Sequence, residues 1–265
     1  MLEPLPTLRA PDRPVSALAR SLPASTAREW LADGWNDFRA NPMPSLAYGI
    51  ALTLLSYAIL AVLYWAGLLY LALPMIAGFL IIGPLLAIGL YEKSRAREEG
   101  EKIGLWRMLF VRGAPLGQLA FAGLMLGMLV LFWIRIADLL YALFFGLTPF
   151  PGAEEAFVNV LTTPRGWSLI VVGTAIGGLF AAFAFALSIF SIPMILAERR
   201  DALTALGLSF SMTTHNLAPA LTWGAIVAAG LAICAVTGLI GLAVVFPVLG
   251  HGTWHAYKAI RRFEP

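Results

Sequence analysis

The sequence predicts an all-α membrane protein in which six transmembrane helices are paired as three hairpins. Hydrophobic residues make up 60% of the chain and charged residues only 12%, with a mean hydropathy of +0.82. A soluble domain carries roughly 25% charged residues, so this chain has too little charge to cover a water-facing surface. Its apolar residues also form long continuous runs, which indicates that lipid is their solvent.

The spans follow from the lengths of the apolar runs, because a bilayer core of about 30 Å requires about 20 helical residues. The last run, 217–256, contains no lysine, arginine, aspartate or glutamate. It is about twice as long as one span, so we divide it near Gly238 and Gly241, where a turn is expected. The predicted spans are 45–64, 69–91, 116–135, 167–196, 219–236 and 242–257.

The placement of lysine and arginine predicts that both termini lie in the cytoplasm. With six spans, 16 of the 18 basic residues fall on one side: five before the first span, six after the second, two after the fourth and three after the sixth. The positive-inside rule assigns that side to the cytoplasm. We therefore expect a disordered cytoplasmic N-terminus over 1–24, a transmembrane domain over 25–262 and a short cytoplasmic tail over 263–265.

A repeated pattern suggests that the three hairpins are parallel repeats. Asn41, Pro44 and Leu46 recur 175 residues later as Asn216, Pro219 and Leu221. A weaker middle copy carries Trp106 and Pro115 71 residues after Trp35 and Pro44. Chance is the alternative explanation, because proline and glycine are frequent in transmembrane helices. Each returning span also holds a proline that is expected to break its helix, at Pro84, Pro193 and Pro247.

Each repeat is expected to begin with a short interfacial helix, which is clearest before the first span. Trp30, Trp35 and Phe38 are assigned to one face of this helix, and Asp33 and Asp37 to the other. A helix of this kind lies in the plane of the interface with its tryptophans at headgroup depth. The alternative is an ordinary cytoplasmic helix that packs on the bundle.

Two pairs of residues could carry chemistry. Arg135 and Asp138 lie three residues apart, on one helix face, and form a candidate intramembrane ion pair. Arg135 lies roughly 29 Å along its helix, near the outer interface, which favours a structural role. His251 and His255, four residues apart, are candidate metal or haem ligands. The chain offers only one further histidine and one cysteine, so neither a metal nor a cofactor is expected.

Glycine spacing predicts close helix packing. Gly173 and Gly177 form a Gly-x-x-x-Gly pair, which lets two helices approach closely. Phosphate-binding glycine loops, nucleophile elbows and zinc-protease motifs are all missing from the sequence. We therefore expect a protein without enzymatic activity that contacts the lipid bilayer and another membrane protein or a second copy of itself, with no nucleic-acid partner.

Three segments carry a family resemblance: 34–37, 41–49 and 246–257, the last being the most specific. They resemble an uncharacterised family of bacterial integral membrane proteins that contain a domain of unknown function. The resemblance runs over nearly the whole chain beyond about residue 24, and it implies a location in the bacterial inner membrane. Some members are labelled as cytochrome c oxidase subunit I. Three histidines cannot supply the six haem and copper ligands of that subunit, so its activity is not expected here.

Three functions remain open from the sequence. The first is an interaction, accessory or assembly protein of the membrane, favoured by the missing catalytic motifs and the glycine-lined helices. The second is a small-molecule transporter or channel, because repeated hairpins and proline-broken helices are features of transporters. The third is an accessory subunit of a respiratory complex, which rests on the family resemblance alone.

Overall fold

The computed structural model describes residues 18–68, 72–146 and 152–261, and these residues form helices joined by short turns without any strand. Most of the predicted disordered N-terminus and the predicted tail over 263–265 lie outside the described residues. The helices are α1 (Thr26–Ala40), α2 (Pro42–Trp65), α3 (Ala72–Leu86), α4 (Ile88–Glu98), α5 (Leu105–Leu109), α6 (Leu116–Phe145), α7 (Ala153–Thr162), α8 (Pro164–Ser188), α9 (Ser191–Glu198), α10 (Ala202–His215), α11 (Leu217–Val236) and α12 (Leu242–Arg261).

Four segments of the described chain are long and apolar enough to cross a membrane: Pro42–Trp65, Leu116–Phe145, Pro164–Glu198 and Leu217–Val236. The expected class, an all-α protein with several membrane-spanning helices, is therefore confirmed. The predicted spans over 69–91 and 242–257 do not reach the same apolar length. The helix α3 has only 15 described residues, and the second half of α12 is polar. The number six stays a prediction.

Two helix boundaries differ from those predicted between 116 and 167. The helix α6 continues to Phe145, ten residues beyond the predicted end of its span. A separate helix, α7, precedes α8 and was not expected. The junction has a local cause: Pro164 occupies the first turn of α8, and the Thr163 hydroxyl accepts a hydrogen bond from the Gly166 amide at 3.0 Å. Both features begin a new helix.

The three prolines of the returning spans behave differently. Pro84 lies within α3, three residues before the helix is interrupted at Ala87. Pro193 lies in the first turn of α9, just after α8 has ended. Pro247 lies inside the continuous helix α12, so the prediction of a break is wrong there. A proline leaves the carbonyl four residues earlier without its usual donor, and that carbonyl, of Ala243, lies against Gly49 of α2.

The helix α12 forms the centre of one half of the bundle, where it packs against α1, α2, α4 and α11. The helices α3, α6 and α8 pack together in the other half, and α9 and α10 lie between the two halves. Glycine permits a close approach between α1 and α12. A Cβ atom at Gly34 would lie 2.5 Å from the Val248 carbonyl oxygen and 2.6 Å from the Gly252 amide nitrogen. Any side chain there would force the two helices apart.

Residues 18–24 pack on the bundle, so the prediction of a disordered terminus is wrong for this part of the N-terminal segment. The Arg20 amide donates a hydrogen bond to the Asn216 side-chain oxygen at 2.9 Å, and the Arg20 guanidinium donates to the Ile260 carbonyl at 2.9 Å. The Asn216 side chain donates in turn to the Leu18 carbonyl at 2.7 Å. Polar groups at the α10–α11 junction and at the end of α12 need partners, and this segment supplies them.

Candidate functional site

Eight polar residues from four segments of the chain meet at the end of the bundle where α2 begins and α12 ends. We call them the polar cluster. Most of these side chains are buried, and burial of so many polar groups is costly unless each is hydrogen-bonded. The polar cluster consists of Asp37 from α1, Asn41 and Ser45 at the start of α2, Lys93, Ser94 and Arg97 from α4, and His251 and His255 from α12.

The helix α1 places Asp37 in the polar cluster. Its buried face holds Trp30, Gly34, Asp37 and Phe38, at spacings of three and four residues that return to one side of a helix. The prediction that Asp37 lies on the face opposite Trp30 and Phe38 is wrong, because all three are buried. Asp37 lies seven residues after Trp30, two full turns on the same side, so the sequence itself contained the signal.

His251 connects three helices through its ring. Its Nε2 atom lies 2.9 Å from the Ser45 hydroxyl, and its Nδ1 atom lies 2.8 Å from the Ser94 hydroxyl. Ser94 also donates to the Asp37 carboxylate at 2.5 Å, and Lys93 donates to the Ser45 hydroxyl at 2.5 Å. The result is a continuous chain of hydrogen bonds through Lys93, Ser45, His251, Ser94 and Asp37.

One assignment of protons satisfies every group in this chain. A carboxylate can only accept and an ammonium can only donate. The Ser94 hydroxyl proton therefore goes to Asp37, and Ser94 must accept from Nδ1–H of His251. At the other end Ser45 accepts from Lys93, which leaves its own proton for Nε2. We infer from this network a neutral His251 that carries its proton on Nδ1.

Asp37 is the anionic end of the polar cluster. Besides Ser94, His255 donates to its carboxylate at 2.9 Å, and Arg97 forms an ion pair with it. Burial alone would raise the pKa of Asp37, but the hydrogen bonds from His255 and Ser94 outweigh burial and hold that pKa at about 2. Asp37 is therefore a charged, fully paired group at neutral pH.

Lys93 is the cationic end. Its ammonium donates to the Asn41 carbonyl at 2.6 Å and to the Asp37 carbonyl at 3.3 Å, as well as to Ser45. All three acceptors are uncharged oxygens. Burial lowers the pKa of Lys93 to about 8, against the opposing attraction of the Asp37 carboxylate. A cleft of about 130 Å³ opens beside this ammonium, lined by Asn41, Lys93, Arg97, Glu101, Lys102 and Ile103 among others.

The arrangement does not favour nucleophilic catalysis. Ser45 contacts both Lys93 and His251, as an activated serine would. However, the side chains of Ser45 and His251 are completely buried, and Ser45 does not line the cleft. A substrate therefore has no access to the hydroxyl in this conformation. The geometry favours a network that holds α1, α2, α4 and α12 together.

The histidines are placed within this network rather than around a metal site. Both ring nitrogens of His251 face serine hydroxyls, and Nε2 of His255 faces Asp37. Within the described residues, no three His, Cys, Asp or Glu side chains are grouped closely enough to hold a metal ion.

The residues of the predicted interfacial helix separate into two groups. Trp30 is buried edge-on against Trp223 of α11, with ring centroids 6.0 Å apart. Phe38 is buried as well, so the prediction of headgroup contact is wrong for these two residues, and the alternative of a helix packed on the bundle holds for them. Trp35 is 42% exposed and stacks on Phe38, and contact with headgroups stays a prediction for it.

The other predicted residues lie away from the polar cluster. Arg135 and Asp138 form an ion pair at 3.3 Å on the exposed surface of α6. Gly177 is a point of close packing, because a Cβ atom there would lie 2.7 Å from the Trp133 ring of α6. A Cβ atom at Gly173 would meet no other group within 4 Å, so the two glycines of the predicted motif face different surroundings.

Comparison with known proteins agrees with this all-helical, membrane-spanning architecture. Residues 72–197 match the family model "Predicted integral membrane protein (DUF2189)". The expected resemblance to a membrane protein family of unknown function is thereby confirmed, while the bacterial origin and the oxidase label find no support. No curated protein and no solved structure matches the chain. The DUF2189 segment contains Lys93, Ser94 and Arg97, whereas the α1, α2 and α12 residues of the polar cluster lie outside it.

The buried charge of Lys93 should make stability depend on pH. Its pKa in the folded protein, about 8, lies below the value of 10.5 of an ordinary lysine. Between these values the unfolded chain binds more protons, so the contribution of Lys93 to the unfolding free energy rises with pH. We expect the thermal midpoint of the purified protein, relative to that of Lys93→Met, to rise between about pH 8 and pH 10.5. A constant difference across this range would contradict the burial of a charged Lys93.

Proposed function

We propose that this chain is a six-span protein of the bacterial inner membrane, without enzymatic activity, that acts by binding a transmembrane helix of another membrane protein or of a second copy. Both termini would lie in the cytoplasm. The number and direction of the spans rest on contacts between helix ends, and the binding role rests on the surface of α8.

Hydrogen bonds between helix ends support three hairpins. Lys93 of α4 contacts Ser45 at the start of α2, which supports a return of the chain between α2 and α4. Gln118 at the start of α6 accepts from the Ala202 amide at the start of α10 at 2.8 Å, which supports a return through α8 and α9. His251 of α12 contacts Ser45, which supports a return after α11. The return through α8 and α9 is already one of the four apolar segments. The returns after α2 and after α11 would add two crossings, which gives six.

The packing also supports three parallel repeats. Each unit consists of a short helix, a long helix and a returning helix. The returning helix of one unit packs on the short helix of the next: α4 on α5, α8 and α9 on α10, and α12 on α1. The contact between α12 and α1 joins the third unit to the first, so the three units would be arranged in a ring. Parallel repeats of this kind bring all three short helices to the same side of the membrane, where most of the basic residues lie.

Reporter fusions test the six-span arrangement. Fusions after Arg95 and Arg200 should report a cytoplasmic location, since both follow a returning helix on the basic side. Fusions at Gly67 and Gly238 should report the opposite side. A cytoplasmic signal at Gly238 would mean that α11 and α12 do not cross separately, and an outward signal after Arg200 would contradict the three-hairpin arrangement.

The surface of α8 carries the proposal of a binding role. Gly177 on its inner side packs on Trp133 of α6. On its outer side, Thr174, Gly178 and Ala182 follow one another at four-residue spacing and are exposed. Lipid chains gain little from contact with such small residues, whereas a second helix can approach its backbone closely there. On the inner face, Gly177 allows close packing of α6 on α8. We expect the small residues of the outer face to allow equally close packing of a partner helix.

The alternative of a transporter receives less support. A gap between α3, α8, α11 and α12 has a volume of about 60 Å³ and an apolar lining that includes Phe79, Leu231 and Phe246. Tyr91 and Thr253 supply its polar side chains. A pathway for a polar solute would need more hydrogen-bonding groups at this depth. Transport is therefore the second candidate function, with less support than binding of a partner helix.

Cysteine crosslinking in membranes tests the binding role. In a Cys234→Ala background, Gly178→Cys should form a disulfide-linked or reagent-linked product, because the proposed partner helix lies close to this position. Leu54→Cys, at an exposed and equally central position of α2, serves as the control. A product of twice the chain mass indicates a second copy, and another mass indicates a different partner. Equal crosslinking of both variants, or none, would contradict the proposal.

A further inference from the structure

Lys93 is a buried cation without an anion in contact. Its side chain is only 4% exposed. Among the described residues, no carboxylate oxygen lies within 4.0 Å of its ammonium, whereas ten other ion pairs meet that limit. Buried charges in proteins are normally paired with a charge of opposite sign. The three neutral oxygens that surround Lys93 satisfy its hydrogens, but no carboxylate is in contact with its positive charge.

Two acidic residues, Asp37 and Glu101, line the cleft, and both already have partners. Asp37 accepts hydrogen bonds from Ser94 and His255 and is paired with Arg97. Glu101 is paired with Arg107, whose guanidinium lies 2.6 Å from its carboxylate. Neither carboxylate contacts Lys93. The net charge that the cleft presents to a ligand is therefore positive, and it comes from Lys93 at the base and Lys102 at the rim.

We propose that this cleft binds a phosphoryl group, with Lys93 at the base and Arg97 and Lys102 at the rim. The oxygens of a phosphoryl group can accept several hydrogen bonds at once, and their negative charge complements the net positive charge of the cleft. A phosphoryl anion in the cleft would attract the Lys93 ammonium through its charge, while that ammonium keeps its three hydrogen bonds to neutral oxygens. The site is separate from the outer face of α8, so the two proposals can fail independently.

Two sources could supply the same phosphoryl chemistry. The cleft lies beside Asn41, where α2 enters its span, and basic pockets at this depth are suited to the headgroups of anionic lipids. A free phosphate from the cytoplasm would present the same oxygens. Burial lowers the pKa of Lys93 against the opposing attraction of the Asp37 carboxylate. A bound phosphoryl anion would favour the protonated ammonium.

Thermal unfolding of the full chain tests the site. Protein in a sugar detergent and phosphate-free buffer is titrated with inorganic phosphate in one series and with phosphatidylglycerol micelles in another, and the rise in midpoint gives an apparent affinity. Lys93→Met should weaken binding by about tenfold or more, since it removes the buried positive charge at the base of the cleft. Lys102→Gln should weaken it by up to about fivefold. Arg112→Gln, which removes an exposed charge from the connection after α5, outside the cleft, should bind like the unmodified chain.

The response to the two probes distinguishes a lipid headgroup from a free phosphate. Stabilisation by both probes, with loss in the Lys102→Gln variant, supports a phosphoryl site open to either source. Stabilisation by phosphatidylglycerol alone, with the same loss, supports a lipid headgroup, and stabilisation by phosphate alone supports a soluble ligand. Equal losses in Lys102→Gln and Arg112→Gln would show non-specific attraction to a basic surface and would overturn the proposal. Absence of binding to either probe would also overturn it. Lys102 is exposed, so its variant remains informative even if Lys93→Met fails to fold.

Discussion

The packing of this end of the bundle depends on the buried imidazole of His251. Both nitrogens of His251 bond to serines, Ser45 in α2 and Ser94 in α4. A buried ring nitrogen without a partner would lower the unfolding free energy by about 1–3 kcal/mol. The two hydrogen bonds therefore fix the positions of α2, α4 and α12 relative to one another. Asp37 extends the same constraint to α1 through Ser94. The close approach of Gly34 to Gly252 then brings the backbone of α1 against α12.

This constraint explains why α12 combines a polar sequence with a central position. Its second half carries His251, Thr253 and His255, which lower its hydropathy below that of an ordinary span. The partners of these residues come from the chain itself: serines for His251, the Leu249 carbonyl for Thr253 and Asp37 for His255. A helix can carry such residues at the membrane boundary when the surrounding protein satisfies each polar group. The same interaction makes the first and last thirds of the chain interdependent.

The sequence was sufficient for the class of the protein and for its long apolar helices, because the length of an apolar run is a local signal. It also indicated close packing at Gly177. It did not reveal the polar cluster, whose members are separated by more than 200 positions, from Asp37 to His255. Composition alone assigns Ser45 and Ser94 no role, and only tertiary packing brings them to opposite nitrogens of one ring. The continuity of α12 through Pro247 likewise depends on a neighbouring helix, where Gly49 makes room for the Ala243 carbonyl.

A double-mutant cycle between Ser45→Ala and Ser94→Ala tests the coupling through His251 most directly. The two serines lie on different helices and bond to the same ring, so their effects on the unfolding free energy in detergent should be non-additive by at least about 0.5 kcal/mol. The control cycle pairs Ser94→Ala with Thr53→Ala, a buried α2 hydroxyl that bonds only to its own helix, and should be additive. Equal additivity in both cycles would contradict the account.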